Sequence, residues 1–169
     1  MKRLAVLYCI TLLLQGCAYA ISRDTAAQAD KTITFKMLQD NPEAFAGKLL
    51  VLGGTIDQTI QTKEGSVIEI VQKPLDYWGK PKRTDSSGGR FILISARRLD
   101  VLVYAPGRQI TVAAEVEGTR SKALGETEYS YPVLRARELK LWELERRASD
   151  SPRWIDPLYD PNTSGRHDW

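Results

Sequence analysis

The chain has 169 residues, of which 43% are hydrophobic and 27% are charged, and its formal net charge is +3. This composition is typical of a single globular domain with tails and excludes a disordered polyelectrolyte. The charge is too balanced to indicate a nucleic-acid partner. Only two cysteines, Cys9 and Cys17, and one histidine, His167, are available as metal ligands or nucleophile partners. We therefore expect no metal site and no histidine-dependent catalysis.

The start of the chain has the pattern of a bacterial export signal. Lys2 and Arg3 precede an apolar stretch over residues 4–14, which only Thr11 interrupts. This stretch is too short to cross a bilayer, which needs about 20 residues. Its length is typical of the apolar region of a secretory signal peptide. The stretch ends in the sequence Leu-Gln-Gly-Cys at residues 14–17.

The sequence of residues 14–17 resembles a lipobox, the processing site of bacterial lipoproteins. The resemblance implies that residues 1–16 are a signal peptide that is removed, and that Cys17 receives a diacylglycerol and an acyl chain. Several acyl chains make a lasting membrane anchor. We expect no cofactor apart from this covalent lipid. Alanine at position 18 implies sorting to the outer membrane. The alternative is an ordinary signal cut near Ala20, which would release a soluble protein.

The flanks of the mature chain differ from its centre. Residues 17–31 are polar and alanine-rich, and predict a lipidated tether. Thr34 predicts the cap of a short helix over residues 35–40, and Asn41 followed by Pro42 predicts a second helical segment. Residues 149–169 contain three prolines and no apolar period, which predicts an extended or disordered tail.

The centre of the chain predicts β-strands, because apolar residues alternate or form short runs over 49–60, 67–71, 90–95, 109–117 and 129–143. Gly53 and Gly54 predict a bend in the first strand, and slipped alternation near Arg137 predicts a bulge in the last. Residues 72–89 and 118–128 are predicted loops. Together these features predict a mainly β domain over residues 32–148: a small five- to six-stranded antiparallel OB-like barrel with a short N-terminal helix. A sandwich of five or six strands is the alternative.

Five stretches in chain order carry a family resemblance: NPEAFAGKLLVLGGTI (41–56), IEIVQKPLDYWGKP (68–81), GRFILIS (89–95), YAPGRQITVAAEVEG (104–118) and YSYPVL (129–134). With the lipobox, they resemble the Slp family of outer-membrane lipoproteins, named for starvation-inducible members, over roughly residues 1–144. The resemblance implies a stress-associated, lipid-anchored protein of the outer membrane whose domain faces the periplasm. It implies no catalytic residue and no particular ligand.

The predicted loop over residues 75–90 combines aromatic and basic side chains, namely Tyr77, Trp78, Lys82, Arg83 and Arg90. On an OB-type barrel such residues suit single-stranded nucleic acid, but export to the envelope argues against that partner. The same side chains would suit stacking on a sugar, or pairing with anionic head groups such as those of lipid A. The alternative is a solvated loop in which Trp78 packs back over the barrel end.

Acidic residues on the predicted strands raise a catalytic alternative. Paired carboxylates hydrolyse glycosides when they converge in one cleft. Glu115 and Glu117 share one face of a predicted strand, and acids such as Asp57 or Glu69 are the candidates for a cell-wall enzyme. Acids that alternate with apolar residues are, however, typical of the outer face of a half-buried strand. We expect a non-enzymatic envelope module with a protein, peptidoglycan or lipid-A partner or a structural role. A soluble solute-binding domain is a further alternative.

Overall fold

The computed structural model describes residues 19–125 and 127–143. Short helices come first: α1 (Arg23–Gln28), α2 (Phe35–Asp40) and a 3₁₀ helix (Pro42–Phe45). The strands follow: β1 (Leu49–Thr62), β2 (Gly65–Lys73), β3 (Arg90–Ser95), β4 (Gln109–Leu124) and β5 (Thr127–Leu141). The predicted signal peptide, the lipidation residue Cys17 and the predicted tail over 149–169 lie outside the described residues.

The strands form a closed barrel in the order β1-β2-β3-β5-β4. This confirms the predicted OB-type barrel over the sandwich. The predicted antiparallel pairing is wrong at one place, because β3 and β5 pair in parallel, with Ile92 beside Val133 and Ile94 beside Arg135. A closed ring with an odd number of strands cannot alternate direction all the way round. At least one neighbouring pair of five strands must therefore be parallel.

The first strand bends so that it pairs on both sides. Gly53 lies opposite Lys73 of β2 and also opposite Thr111 of β4. The bend brings backbones very close, because a Cβ at Gly54 would lie 2.4 Å from the carbonyl oxygen of Val71. Only glycine fits such an approach. The β-bulge of this strand is at Asp57, just beyond the predicted glycine bend.

The β4–β5 hairpin is longer than expected. The prediction of a loop over residues 118–128 is wrong, because β4 continues to Leu124 and β5 begins at Thr127. The stretch from Thr119 to Lys122 has no apolar alternation, so its strand character comes from backbone pairing with β5 rather than from burial. The bulge predicted near Arg137 is confirmed, because successive residues of β4 pair with positions 138 and 136.

The core lies inside the barrel and is closed at one end by α2. Phe35 and Leu38 of this helix are 8% and 0% exposed, and the ring of Phe35 lies 5.8 Å from that of Phe91. The predicted cap is confirmed, since the Met37 N–H donates to the Thr34 hydroxyl at 3.3 Å. The other strand residues in this core, besides Phe91, are Leu50, Leu52, Ile56, Ile68, Ile70, Leu93, Ile110, Val112, Ala114, Val116 and Leu134.

The segment before α2 lies against the barrel, although the sequence predicted a tether as far as residue 31. Ile21 is only 4% exposed and packs in a cluster with Leu49 and Ala113 on the outside of β1 and β4. The backbone N–H of Asp30 donates to the carbonyl oxygen of Leu49 at 2.8 Å. The folded unit therefore includes residues 21–30, and it begins earlier than the predicted boundary at residue 32.

A carboxylate from the last strand fixes the start of α1. Ser22 caps this helix and donates its backbone N–H and its hydroxyl to the Glu138 carboxylate, at 3.1 and 3.0 Å. A carboxylate at a helix start is favourable because the backbone N–H groups there point towards it. The N-terminal segment is thus held by apolar packing at Ile21 and by hydrogen bonds at Ser22.

Candidate binding surfaces of the barrel

Residues 74–81, here called the aromatic loop, lie across the outer face of β1 and β4. The Thr111 hydroxyl donates to the Gly79 carbonyl oxygen at 2.6 Å, and the Gln109 amide donates to that of Pro81 at 2.7 Å. Leu75 covers Gly53, where a Cβ would lie only 2.1 Å from the Leu75 Cδ2 atom. The loop is therefore fastened to the barrel wall along its length.

The tip of the aromatic loop is also fixed from within. Asp76 Oδ1 accepts the backbone N–H groups of Trp78 and Lys80, at 2.9 and 2.8 Å. Gly79 has a φ of 79°, a left-handed conformation that glycine adopts without strain. This tight turn sends the side chains of residues 77 and 78 outward.

Tyr77 and Trp78 are therefore exposed, at 83% and 59%. Their rings contact each other edge to face, with centres 5.2 Å apart. Trp78 therefore does not pack back over the barrel end, as the alternative interpretation of this loop predicted. An exposed aromatic pair on a rigid loop is uncommon on a soluble surface and is typical of a contact site.

The N-terminal segment lies beside this aromatic pair. A groove of about 170 Å³ separates Tyr77 and Trp78 from Tyr19 and α1. A Cβ at Gly79 would lie 3.1 Å from that of Ala20, so loop and segment are in close contact. Tyr19 is 42% exposed, and the Arg23 guanidinium lies 5.3 Å from its ring centre. We call Tyr19, Tyr77 and Trp78 the aromatic surface.

A larger cleft of about 510 Å³ adjoins the other flank of the aromatic loop. Its lining is rich in cations, namely Lys73, Lys82, Arg83 and Arg108, and includes the acids Asp85 and Glu143. We call it the basic cleft. Two of the cations are fixed by carbonyl oxygens: Lys73 donates to Thr84 at 2.8 Å, and Arg108 donates to Trp142 at 2.8 Å. The structure thus brings the predicted residues Lys82 and Arg83 together in one cleft.

Arg90, the fifth predicted site residue, belongs to a different surface. Its Nη1 atom donates to Asp57 at 2.7 Å and to Glu69 at 3.0 Å. Lys122 and the Tyr131 hydroxyl also donate to the Glu69 carboxylate, at 2.6 and 2.9 Å. We call these five residues the Glu69 cluster.

The electrostatics of the Glu69 cluster keep its central carboxyl ionised. Burial acts to raise the pKa of Glu69, but the hydrogen bonds from Lys122 and Tyr131 and the charges of Lys122 and Arg90 outweigh it. The pKa of Glu69 therefore lies below its ordinary value. Burial and the neighbouring carboxylate raise the pKa of Tyr131 to about 12. The cluster therefore combines two acidic side chains, Asp57 and Glu69, with two basic ones, Arg90 and Lys122, and with a phenol that is neutral at neutral pH.

The sequence did not predict this cluster because Lys122 and Tyr131 lie on the β4–β5 hairpin. Lys122 falls in the predicted loop over 118–128, and Tyr131 near the start of the last predicted strand. Lys122 and Glu69 are 53 positions apart in the chain. The available signal was the spacing of Tyr129 and Tyr131, because residues two apart on a strand lie on the same face. Their rings do contact each other, with centres 4.7 Å apart. The Tyr129 hydroxyl accepts the backbone N–H of Arg90 at 3.2 Å.

The other candidate acids each have a cationic neighbour on β5. Glu115 lies 3.8 Å from Arg137, and Glu117 accepts a hydrogen bond from Arg135. Within residues 19–125 and 127–143, no group of three or more His, Cys, Asp or Glu side chains is placed to hold a metal ion. In the same part of the chain, no helix has the length and apolar character needed to cross a bilayer.

Comparisons with solved structures return single-stranded-DNA-binding proteins at low similarity. The mitochondrial protein Rim1 of S. cerevisiae has a TM-score of 0.36 and 8% identity, covering 58% of this chain and 97% of that one. A small protein of this kind from Streptomyces coelicolor has a TM-score of 0.33 and 10% identity, covering 55% of this chain and 92% of that one. Similarity at this level has no bearing on what this chain binds.

Two Escherichia coli (strain K12) proteins are similar in sequence. The "Uncharacterized lipoprotein YeaY" is 24% identical over 149 residues, which are 88% of this chain and 76% of that protein. "Outer membrane protein Slp" is 22% identical over 146 residues, which are 85% of this chain and 77% of that protein. The family profile described as "Outer membrane lipoprotein Slp family" matches residues 14–166. The match thus extends further towards the C-terminus than the resemblance read from the sequence, and the chain belongs to the Slp family of outer-membrane lipoproteins.

Proposed function

We propose that this outer-membrane protein is anchored through a diacylglycerol and an acyl chain on Cys17, and that its barrel faces the periplasm as a non-enzymatic binding or structural module of the stressed envelope. The lipobox-like sequence at residues 14–17 supports the anchor. The observation that carries the proposal is the docking of residues 21–30 on the barrel, with Ile21 only 4% exposed.

This docking limits the distance between anchor and barrel. A free tether over residues 17–31 would extend to about 50 Å, at about 3.3 Å per residue. Because the chain meets the barrel at Ile21, the free length is only a few residues. An anchor on Cys17 would therefore hold the barrel close to the lipid surface, with its aromatic loop beside the attachment point.

The intact mass of the membrane-extracted protein tests the anchor. We expect a chain that begins at Cys17 and is heavier than its sequence by a diacylglycerol and an acyl group. Cys17→Ser should remove this added mass and release the protein from the membrane fraction. Cys9→Ser, the matched control within the signal peptide, should leave both unchanged. An unmodified chain cut near Ala20 would overturn the proposal in favour of a soluble periplasmic domain.

The basic cleft supports a second candidate function, the binding of a phosphorylated glycan such as the head group of lipid A. Lys82 and Arg83 line the cleft together with Lys73 and Arg108, and cations of this kind pair with phosphate oxygens. A ligand that binds the folded state raises the melting temperature. We expect a diphosphorylated glucosamine disaccharide to do so and its unphosphorylated form not to.

A matched pair of variants tests this candidate. The double variant Lys82→Ala, Arg83→Ala should abolish the shift in melting temperature. The control Lys36→Ala, Lys63→Ala removes the same charge outside the cleft and should keep the shift. Equal shifts with both disaccharides, or an unchanged shift in the cleft variant, would exclude phosphate recognition at this site.

The carboxylates Asp57 and Glu69 do converge, as a cell-wall enzyme would require, but they converge on the guanidinium of Arg90. A glycosidase needs one carboxyl with a raised pKa to protonate the leaving group. Glu69 has a lowered pKa, which supports a structural role instead. We expect the purified protein to leave peptidoglycan uncut. Cleavage that Glu69→Gln abolishes would reverse this assignment.

A further inference from the structure

The aromatic surface has a composition that suits a bilayer interface. Trp and Tyr combine an apolar ring with a polar group, and they concentrate at the level of lipid head groups. Tyr77 and Trp78 are 83% and 59% exposed, although both are large and largely apolar. Arg23 lies over the Tyr19 ring on the same surface, where a cation could also meet anionic lipid.

The position of this surface in the chain points to the same occupant. Tyr19 is two residues after Cys17, so their Cα atoms can be separated by at most about 7 Å. Ala20 contacts the aromatic loop at Gly79, and Ile21 is buried against the barrel. Chains on Cys17 that enter the membrane would therefore bring Tyr77 and Trp78 to the lipid surface with them.

We propose that the aromatic surface, formed by Tyr19, Tyr77 and Trp78, is inserted among the lipid head groups of the leaflet that holds the anchor, and so sets the orientation of the barrel on the membrane. This rests on the proposed anchoring through Cys17. The acyl chains supply attachment, and the aromatic rings supply a second contact that stops free rotation about the short linker. The occupant is the lipid bilayer itself.

The rigidity of the loop supports this role. Asp76 accepts two backbone N–H groups within the turn, and Thr111 holds Gly79 from the barrel wall. The rings are therefore presented in one arrangement before they meet lipid. A preset surface loses little conformational entropy on binding, so more of the contact energy remains as affinity.

The opposite end of the β1–β2 hairpin should then stay in water. The ladder from Gly53 with Lys73 to Thr62 with Gly65 has nine residue pairs and spans nine residues of β1 beyond Gly53, and the turn at Glu64 follows its last pair. At about 3.3 Å per residue this corresponds to about 30 Å of strand. Glu64 is exposed and offers a matched position for a probe.

The test uses the full-length, lipidated protein in vesicles of phosphatidylethanolamine and phosphatidylglycerol. Tyr77→Cys and, separately, Glu64→Cys introduce a thiol for an environment-sensitive fluorophore, and Trp78→Cys provides a second probe on the aromatic surface. In the anchored protein Cys9 would leave with the signal peptide and the Cys17 sulfur would carry the diacylglycerol, so each variant would have one free thiol. Lipids that carry a nitroxide at the head group quench fluorophores that lie at that depth.

We expect at least fivefold stronger quenching at positions 77 and 78 than at position 64, with a blue-shifted emission at the former two. Equal quenching at all three positions, or none at 77 and 78 in protein that floats with the vesicles and has the lipidated mass, would overturn the proposal. Protein that neither floats nor carries lipid would instead show that the proposed anchoring has failed. The two failures are therefore distinguishable.

Discussion

The Glu69 cluster and the aromatic loop use similar side chains in opposite ways. Glu69 is 7% exposed and accepts hydrogen bonds from three side chains of the barrel, so its negative charge is compensated within the protein. Tyr77 is 83% exposed. Its loop is also held in place, but the hydrogen bonds join Asp76 to backbone groups of the loop and leave the aromatic rings in solvent. The cluster joins strands, whereas the loop presents a surface. A contact site differs from a structural network because its backbone is held in place while its side chains remain exposed.

The comparison also explains why Arg90 is separated from the other predicted site residues. Arg90 is adjacent in sequence to the loop that carries Tyr77 and Arg83, but it is the first residue of β3. Its side chain therefore lies on the sheet beside Glu69 and the β4–β5 hairpin. Arg90 is close in sequence to the loop, but the pairing of β3 with β2 determines which side chains it contacts.

Replacing Glu69 with alanine should have the largest effect on stability. The Tyr131 hydroxyl would lose its acceptor in a buried site, and Arg90 and Lys122 would lose a shared counter-charge. We expect the free energy of unfolding to fall by about 3 kcal/mol. Urea denaturation measures this change.

Glu115→Ala is the matched control, because it removes a strand glutamate whose side chain is 50% exposed and 3.8 Å from Arg137. Its cost should remain within about 0.5 kcal/mol. Equal losses in the two variants would contradict the distinction between a structural cluster and a solvated pair.

Acid should weaken the same cluster, by less than the substitution does because the protonated carboxyl still fills its site. The pKa of Glu69 is lower in the folded protein than its ordinary value of 4.5. Its stabilising contribution is therefore complete above pH 4.5 and is lost as the pH falls towards the folded-state pKa. Urea unfolding between pH 6 and pH 3 should show a smaller loss of stability in Glu69→Gln than in the wild type. Parallel curves would rule out this linkage.

Gly54→Ala should cost about 2 kcal/mol, because the new Cβ would meet the carbonyl oxygen of Val71 and force the paired strands apart. The nearest atoms to a Cβ at Gly53 belong to the side chains of Leu75 and Pro81 rather than to the backbone, and Leu75 can turn away, so Gly53→Ala should cost less. The second change should instead loosen the aromatic loop, seen as lower anisotropy of a fluorophore at position 77. Thermal unfolding compares the two variants, and a larger loss for Gly53→Ala would reverse the expected order.

Thr111→Val should cost about 1 kcal/mol, because the Gly79 carbonyl oxygen and the Trp142 indole N–H would each lose a hydrogen bond while the shape is kept. Thr111→Ser keeps the hydroxyl and serves as control. Thermal unfolding reports the change. If valine and serine behave alike, the hydroxyl does not hold the loop.

Tyr77→Ser should have the smallest effect on stability, below about 0.5 kcal/mol, because the side chain is 83% exposed and its ring contacts that of the also outward-facing Trp78. On vesicles the same change should weaken head-group contact, measured by quenching of a fluorophore at position 78. A large loss of stability in solution would show that Tyr77 belongs to the structural network after all.

The sequence predicted the features that depend on local chemistry. Thr34 as a cap, β3 as a short buried run and the bulge near Arg137 all follow from residues within one turn or strand. The parallel pairing of Ile92 with Val133 and the contact between Lys122 and Glu69 depend on barrel closure, which no local pattern contains. Docking of residues 21–30 was missed because one buried side chain, Ile21, gives no periodic signal.

Closure of the barrel by its last strand has a consequence for the order of assembly. β3 has an unpaired edge until residues 133–135 reach it, and β4 pairs with β5 over most of its length. An exported chain that enters the periplasm from its N-terminus would expose two open sheet edges until almost all of the domain has been delivered, and open edges promote aggregation. Folding of this domain is therefore an event of the completed chain, and a chain shortened before residue 129 should aggregate rather than form a smaller barrel.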